Sequence, residues 1–219
     1  HPQRWAEQER AAYDAVAERI ASLAPLLAEG EPLRLAAAYA LGHFPNAAGG
    51  AAGDVRGAYD ASTDETTRAT LLIALAMLSL HAVEKDETVA FFRRVHDSES
   101  NAILRASAAA GLALLGAADD EVAQTISAAV IAGSADHTKI PWNDGDFDDY
   151  LALVLPFAAK GREATVAATL IDALAHATQL AKRSITHALL GVVAPSSDYR
   201  AMSDVQLRAL KAVEEHGLW

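Results

Sequence analysis

Glu99-Ser100-Asn101-Ala102-Ile103-Leu104-Arg105-Ala106-Ser107-Ala108-Ala109-Ala110-Gly111-Leu112-Ala113-Leu114-Leu115-Gly116 is the stretch whose reading decides the fold. It opens on short polar residues of the kind that cap a helix. A run of small and apolar residues follows, and Gly116 stands where a helix would stop. The same pattern recurs along the chain. With Arg34, Arg68, Arg105 and Arg183 as origins, Leu41, Leu75, Leu112 and Leu190 stand seven residues on. Small residues, Gly42, Ala76, Ala113 and Gly191, stand eight residues on. Ala37, Leu71, Ala108 and Thr186 occupy offset three, and Ala38, Leu72, Ala109 and His187 offset four. Offsets of three, four, seven and eight share one face of an α-helix. One face is therefore presented four times, at a period in the range of roughly 20–50 residues that marks repeat architectures.

A small residue beside each leucine lets a neighbouring helix approach closely. One helix pair cannot bury its apolar face alone, whereas stacked pairs share a continuous core. Each arginine can lay its stem over apolar surface and reach a nearby acid. Around these origins the spacing predicts repeats over 32–60, 62–96, 99–132, 146–177 and 179–217. Residues 1–30 precede them as a capping helix, and residues 133–145 are an inserted loop. The whole of 1–219 reads as one repeat domain.

In chain order, Gln3 to Glu29 reads as a helix kinked or split at Pro25. Pro32 suits the first turn of the next helix, which Pro45 stops. Asn46 to Gly53 reads as a loop or weak helix start, and Asp54 to Tyr59 as a short second helix. The second repeat begins at Asp64-Glu65, with Ser62 and Thr63 as caps, and its second helix is Glu87 to Val95. Asp119-Asp120 open the helix that runs to Ala132, where carboxylates favour a helix N-terminus. In the fourth repeat Asp148 takes the arginine's place, Leu155 the leucine's and Pro156 the small residue's, with Glu163 to His176 as second helix. The fifth unit is Leu180 to Val193 and a last helix from Ser203 to Gly217, opened by a Ser203/Gln206 capping box. Trp219 is expected to fold back over the end of the core.

Composition bounds the function. Hydrophobic residues make up 52% of the 219, much of that alanine, and aromatics 6%, which suits close helix packing. No period-two run predicts a strand. The net charge of −11 weighs against nucleic acid and against anionic membranes as partners, and leaves a basic protein open. With no cysteine there are no disulfides or thiolate metal sites. No signal peptide or membrane span is visible, since the apolar stretch around Leu71 to Leu80 is too short to cross a bilayer. A cytoplasmic location is the expectation. The chain begins His1-Pro2 without an initiator Met, as a trimmed start, a tag-derived start or a part of a longer protein would.

The candidate chemistry is thin. Asn143, Asp144, Asp146, Asp148 and Asp149 cluster beside Trp142 and Gly145, and short-spaced oxygens suit calcium. The EF-hand spacing and its later glutamate are absent. In the simpler reading Trp142 anchors the loop, Asn143-Asp144-Gly145 makes a turn and Asp146 caps the following helix. The remaining reading is an exposed partner-binding loop. The histidines make no paired metal motif, and His187 reads as a core or interhelix residue. Ser184 and Ser197 lack a nucleophile elbow, and Gly49-Gly50 and Gly53 lack the lysine and strand of a phosphate loop. Arg93 and Arg94 stand near a helix C-terminus, where cations are favoured. No catalytic residue, metal or cofactor is expected. Partner contacts are expected at Arg93, Arg94, Trp142, Asp144 and Asp146.

The segment Arg34-Leu35-Ala36-Ala37-Ala38-Tyr39-Ala40-Leu41-Gly42 and its echoes resemble HEAT-type repeats, including the HEAT-like repeats related to phycobilisome lyases, over Pro32 to Val193. Ile140 to Asp146, with Leu207 to Leu210 and Trp219, resembles a group of bacterial HEAT-repeat proteins. The resemblance implies an all-α fold: a right-handed superhelix of about five helix pairs with a capping N-terminal helix. It further implies a non-enzymatic scaffold or adaptor that holds a protein on a concave face lined by second helices, and the acidic balance of the chain suits a basic one. The alternative that it implies is a HEAT-like enzyme of the DNA-glycosylase or bilin-lyase kind. The glycosylase branch uses a basic concave face with a catalytic aspartate, and the acidic balance of this chain weighs against it.

Overall fold

A computed structural model describes residues 10–11, 14–16, 19–80, 82, 85–133, 147–194 and 197–217. Every regular element among the described residues is helical, and no described helix is long and apolar enough to cross a membrane. The helices are α1 Glu31–His43, α2 Ala52–Ala61, α3 Glu65–Ser79, α4 Asp86–Ser98, α5 Ala102–Leu114, α6 Asp120–Ala132, α7 Phe147–Ala158, α8 Glu163–Leu174, α9 Gln179–Val193 and α10 Asp204–His216. The chain divides into two compact units, His1–Ala90 and Phe91–Trp219, with the boundary inside α4.

The helix ends follow from local chemistry. Asn101 caps α5 by accepting from the N–H groups of Ile103 and Leu104, and Gly116, at φ +77°, closes the following turn. Asp119 caps α6, and Ser203 and Gln206 form the capping box of α10. The cap of α3 is Asp64 rather than Ser62 or Thr63. Ser62 instead donates to Glu31 at the start of α1, at 3.0 Å. The split at Pro25 takes the form of a 3₁₀ segment, Ala21–Ala28, after helical residues that reach Ile20. Proline's missing N–H breaks the α ladder there. Between Pro45 and Gly53 there is more helix than expected, a single turn Pro45–Ala48 and a 3₁₀ turn Gly49–Ala51.

In the first unit α3 is the centre, packing on α1 and α2. Leu71 to Ala76 are each no more than 1% exposed, because this helix is apolar all round and is stable only when covered all round. Arg34 sits almost buried and ties α1 to the preceding 3₁₀ segment. Its Nε donates to Leu27 O and its Nη2 to Glu29 O, both at 2.9 Å, and its Nη1 pairs with Glu31. Arg68, the equivalent residue, donates instead to the Tyr59 hydroxyl at 2.7 Å and lies over that ring.

In the second unit the odd-numbered helices α5, α7 and α9 pack in sequence, α7 on α5 and α9 on α7. The even-numbered α6, α8 and α10 do the same. The neighbours α7 and α9, and likewise α6 and α8, run in one direction. Asp149 in α7 meets Arg183 and Ser184 in α9, while seven residues on Pro156 meets Gly191. In the other row Asp120 at the start of α6 meets Arg162 at the start of α8. Two glycines act as notches: Gly191, at the small position of the arginine alignment, and Gly111, six residues after Arg105. A Cβ on Gly191 would stand 2.8 Å from Pro156 Cγ, and one on Gly111 would stand 2.6 Å from the ring of the buried Phe92.

Burial places the fifth unit one residue earlier than the arginine alignment does. Ile185, Thr186 and Leu189 are buried, whereas His187 is exposed and Leu190 only half-buried. Lys182, not Arg183, is thus the origin whose offsets three, four and seven face the core. His187 is accordingly a surface residue rather than a core one.

Candidate functional site

The surface of the second unit is indented between α6 and α8. The indentation is a groove of about 800 Å³. One wall is Ala123, Gln124, Ser127, Ala128, Ile131 and Ala132 of α6, and the other is Thr165, Val166 and Thr169 of α8. The walls are low because the side chains are short. Helix axes packed about 8–10 Å apart normally have the space between their outer faces filled by long side chains. Here the outward positions 128, 132, 165 and 169 are Ala, Ala, Thr and Thr, and all four are exposed. Small walls leave space for large apolar side chains from outside.

One end of the groove is closed by Arg162. Its Nε donates to Asp120 Oδ1 at 2.7 Å and its Nη1 to Ala158 O at 2.9 Å, so it staples the turn after α7 to the start of α6. That turn is set by Gly161 at φ +81°, a conformation that disfavours a side chain. Gly161 N–H donates to Glu163 Oε1, and this bond, with the Glu163 backbone N–H, holds the Glu163 carboxyl below the usual carboxylate range. Beyond α8 the row continues into a second depression of about 520 Å³ against α10, with mixed charge from Asp172, His176, Arg208, Lys211, Glu215 and His216.

The expected contact residues fare differently. Arg93 is turned to its own fold. It pairs with Asp119 Oδ2 at 2.8 Å and donates to Ala117 O at 3.1 Å, which fixes α4 against the start of α6. Asp119 accepts from Val122 N–H, and that bond, with the Arg93 guanidinium, lowers its pKa below the ordinary 3.8. Arg94 is exposed, with its guanidinium 4.9 Å from the Phe91 ring centroid. Trp142, Asp144 and Asp146 lie outside the described residues, as do Asn143, Gly145, Trp219 and most of the candidate calcium cluster. Asp149, its last member, is engaged by Arg183 at 3.6 Å. No group of three or more metal-ligating side chains occurs among the described residues.

Sequence reasoning overlooked two features. His96 is 2% exposed, and its ring bridges Asp97 at 2.9 Å and Thr125 at 3.1 Å, adding a second tie between α4 and α6. The groove was the other. Its signal is the run Gln124, Ala128, Ala132 at outward positions of α6, where a surface helix ordinarily carries charge.

Comparison of the chain with protein-family models, with curated proteins and with solved structures returns no match.

Proposed function

We propose that the chain is a HEAT-like α-solenoid that acts as a non-enzymatic, cytoplasmic scaffold and docks a protein on the face made by its second helices. The observation that carries this reading is the groove between α6 and α8, a neutral, small-walled trough on a strongly acidic chain. A trough between two parallel helices accepts a third helix or a helical ridge, the packing by which helix-in-groove complexes are made. The two rows of like helices in the second unit support the solenoid part of the proposal, because stacked repeats set equivalent helices side by side.

The test is site-specific photo-cross-linking in the source cell. A photoreactive residue replaces Thr169 inside the groove or His187, exposed on α9. Defined protein adducts are expected from position 169, and they are expected to vanish when Ala128→Phe fills the groove. Adducts that appear equally from 187, or that persist in A128F, refute the reading.

A further inference from the structure

We propose that the occupant of the α6/α8 groove is the outer ridge of α7 from a second copy of this chain, so that copies join head to tail. This rests on the reading of the groove as a protein-docking surface and names its partner.

Two observations made independently carry the assignment. The first is the groove itself, whose exposed positions 128, 132, 165 and 169 carry only alanine and threonine. The second is that α7 displays two large apolar side chains one turn apart, Leu153 at 70% and Phe157 at 58% exposure. They are spaced i, i+4 and so form a single ridge. Apolar side chains that stand together on a surface, rather than scattered singly, are what interaction sites present. The ridge is bulky where the groove is small-walled.

The charges also complement. Lys160, exposed just beyond Phe157, has no side-chain partner among the described residues, and neither does Glu121, the neighbour on α6 of the groove-lining Asp120. Arg162 at the groove's end is neutralised by Asp120. An incoming α7, with Lys160 in the turn that follows it, therefore brings a free cation to a groove that has a free acid beside it and no free cation on its wall.

Ridge and groove are different surfaces, so the contact is heterologous. Contacts of that kind propagate from copy to copy unless the rotation closes a ring.

Sedimentation velocity of the purified full chain, over about 1 to 200 µM, tests this. The parent is expected to shift to larger species as concentration rises. Phe157→Glu (or Leu153→Glu) removes the ridge, and Ala128→Phe (or Thr169→Trp) fills the groove. All four positions are solvent-facing, and an unchanged helical circular-dichroism spectrum confirms the fold. Each variant alone is expected to stay monomeric. The decisive sample is an equimolar mixture of F157E and A128F, in which one intact groove meets one intact ridge. It is expected to give dimers and nothing larger. A parent that stays monomeric throughout, or a mixture that stays monomeric, overturns the assignment. Association that survives both substitutions overturns it as well. The cross-linking at position 169 reads the groove independently: adducts to other proteins, with no self-association, would sink this assignment and leave the docking function standing.

Discussion

Gly111→Ala isolates the close approach on which the helix packing depends. In an ordinary helix interior this change stabilises by about 1 kcal/mol, because alanine loses less backbone freedom than glycine. Here the new methyl would stand 2.6 Å from two carbons of the Phe92 ring and 2.8 Å from a third. Carbon atoms ordinarily sit about 3.5–4.0 Å apart, so the ring must retreat by about 1 Å. Phe92 is 0% exposed, so the ring can retreat only by displacing its neighbours. Overpacking costs about 1–3 kcal/mol, and a ring with no exposed face stands in the upper part of that range, at about 2–3 kcal/mol. Set against the propensity gain, G111A is expected to lose about 1–2 kcal/mol. That corresponds to a melting temperature lower by about 2–8 °C in a chain of this size. Urea unfolding followed by circular dichroism measures the difference, and Phe92→Leu supplies the control. The shorter side chain makes room, so the double variant should recover about 1 kcal/mol or more relative to the sum of the single changes. G111A at or above parent stability, or strict additivity with F92L, refutes the notch reading.

Asp119→Ala removes the cap of α6 and the partner of Arg93, and should cost about 1 kcal/mol at neutral pH. Because the folded-state pKa of Asp119 lies below 3.8, its stabilisation is present above that value and fades as pH falls through the lowered pKa. Parent and D119A unfolding curves should thus converge in acid, and a gap that widens there contradicts the assignment. The Tyr150 hydroxyl is buried without a hydrogen-bond partner among the described residues, and burial pushes its pKa upward. Tyr150→Phe should stabilise the protein by about 1 kcal/mol in thermal melts, whereas a loss would reveal a hydrogen bond. Arg34→Met leaves the carbonyls of Leu27 and Glu29 without their donor and should cost about 2 kcal/mol in urea unfolding. An unchanged midpoint would mean that water replaces the guanidinium freely.

Much of the scaffold was legible because it is written in local chemistry. Helix starts at Asn101, Asp119 and Ser203 and the stop at Gly116 need only their neighbours to be understood. The leucines at offset seven of the first four repeats are buried for the same reason that they recur. The fifth repeat misled because both Lys182 and Arg183 can serve as the basic origin, and only packing decides between them. The 3₁₀ form of Ala21–Ala28 depends on how one proline is accommodated, which periodicity does not encode. The groove was hidden for a different reason. It is made by what α6 and α8 lack, and alanine and threonine at outward positions look unremarkable one helix at a time. Arg93 looked like a free surface cation because its partner Asp119 stands beyond a whole intervening helix.

The central claim is that equivalent helices of consecutive pairs in the second unit lie side by side and run in the same direction. A chain without cysteine allows a direct measurement. Pro156→Cys combined with Gly191→Cys should oxidise readily to an intramolecular disulfide, seen as a mobility shift on a non-reducing gel, because these positions touch across α7 and α9. Pro156→Cys combined with Arg183→Cys should stay reduced. The opposite outcome, with 156 joined to 183 and not to 191, would mean that the two helices run antiparallel, and the account of stacked pairs would fall.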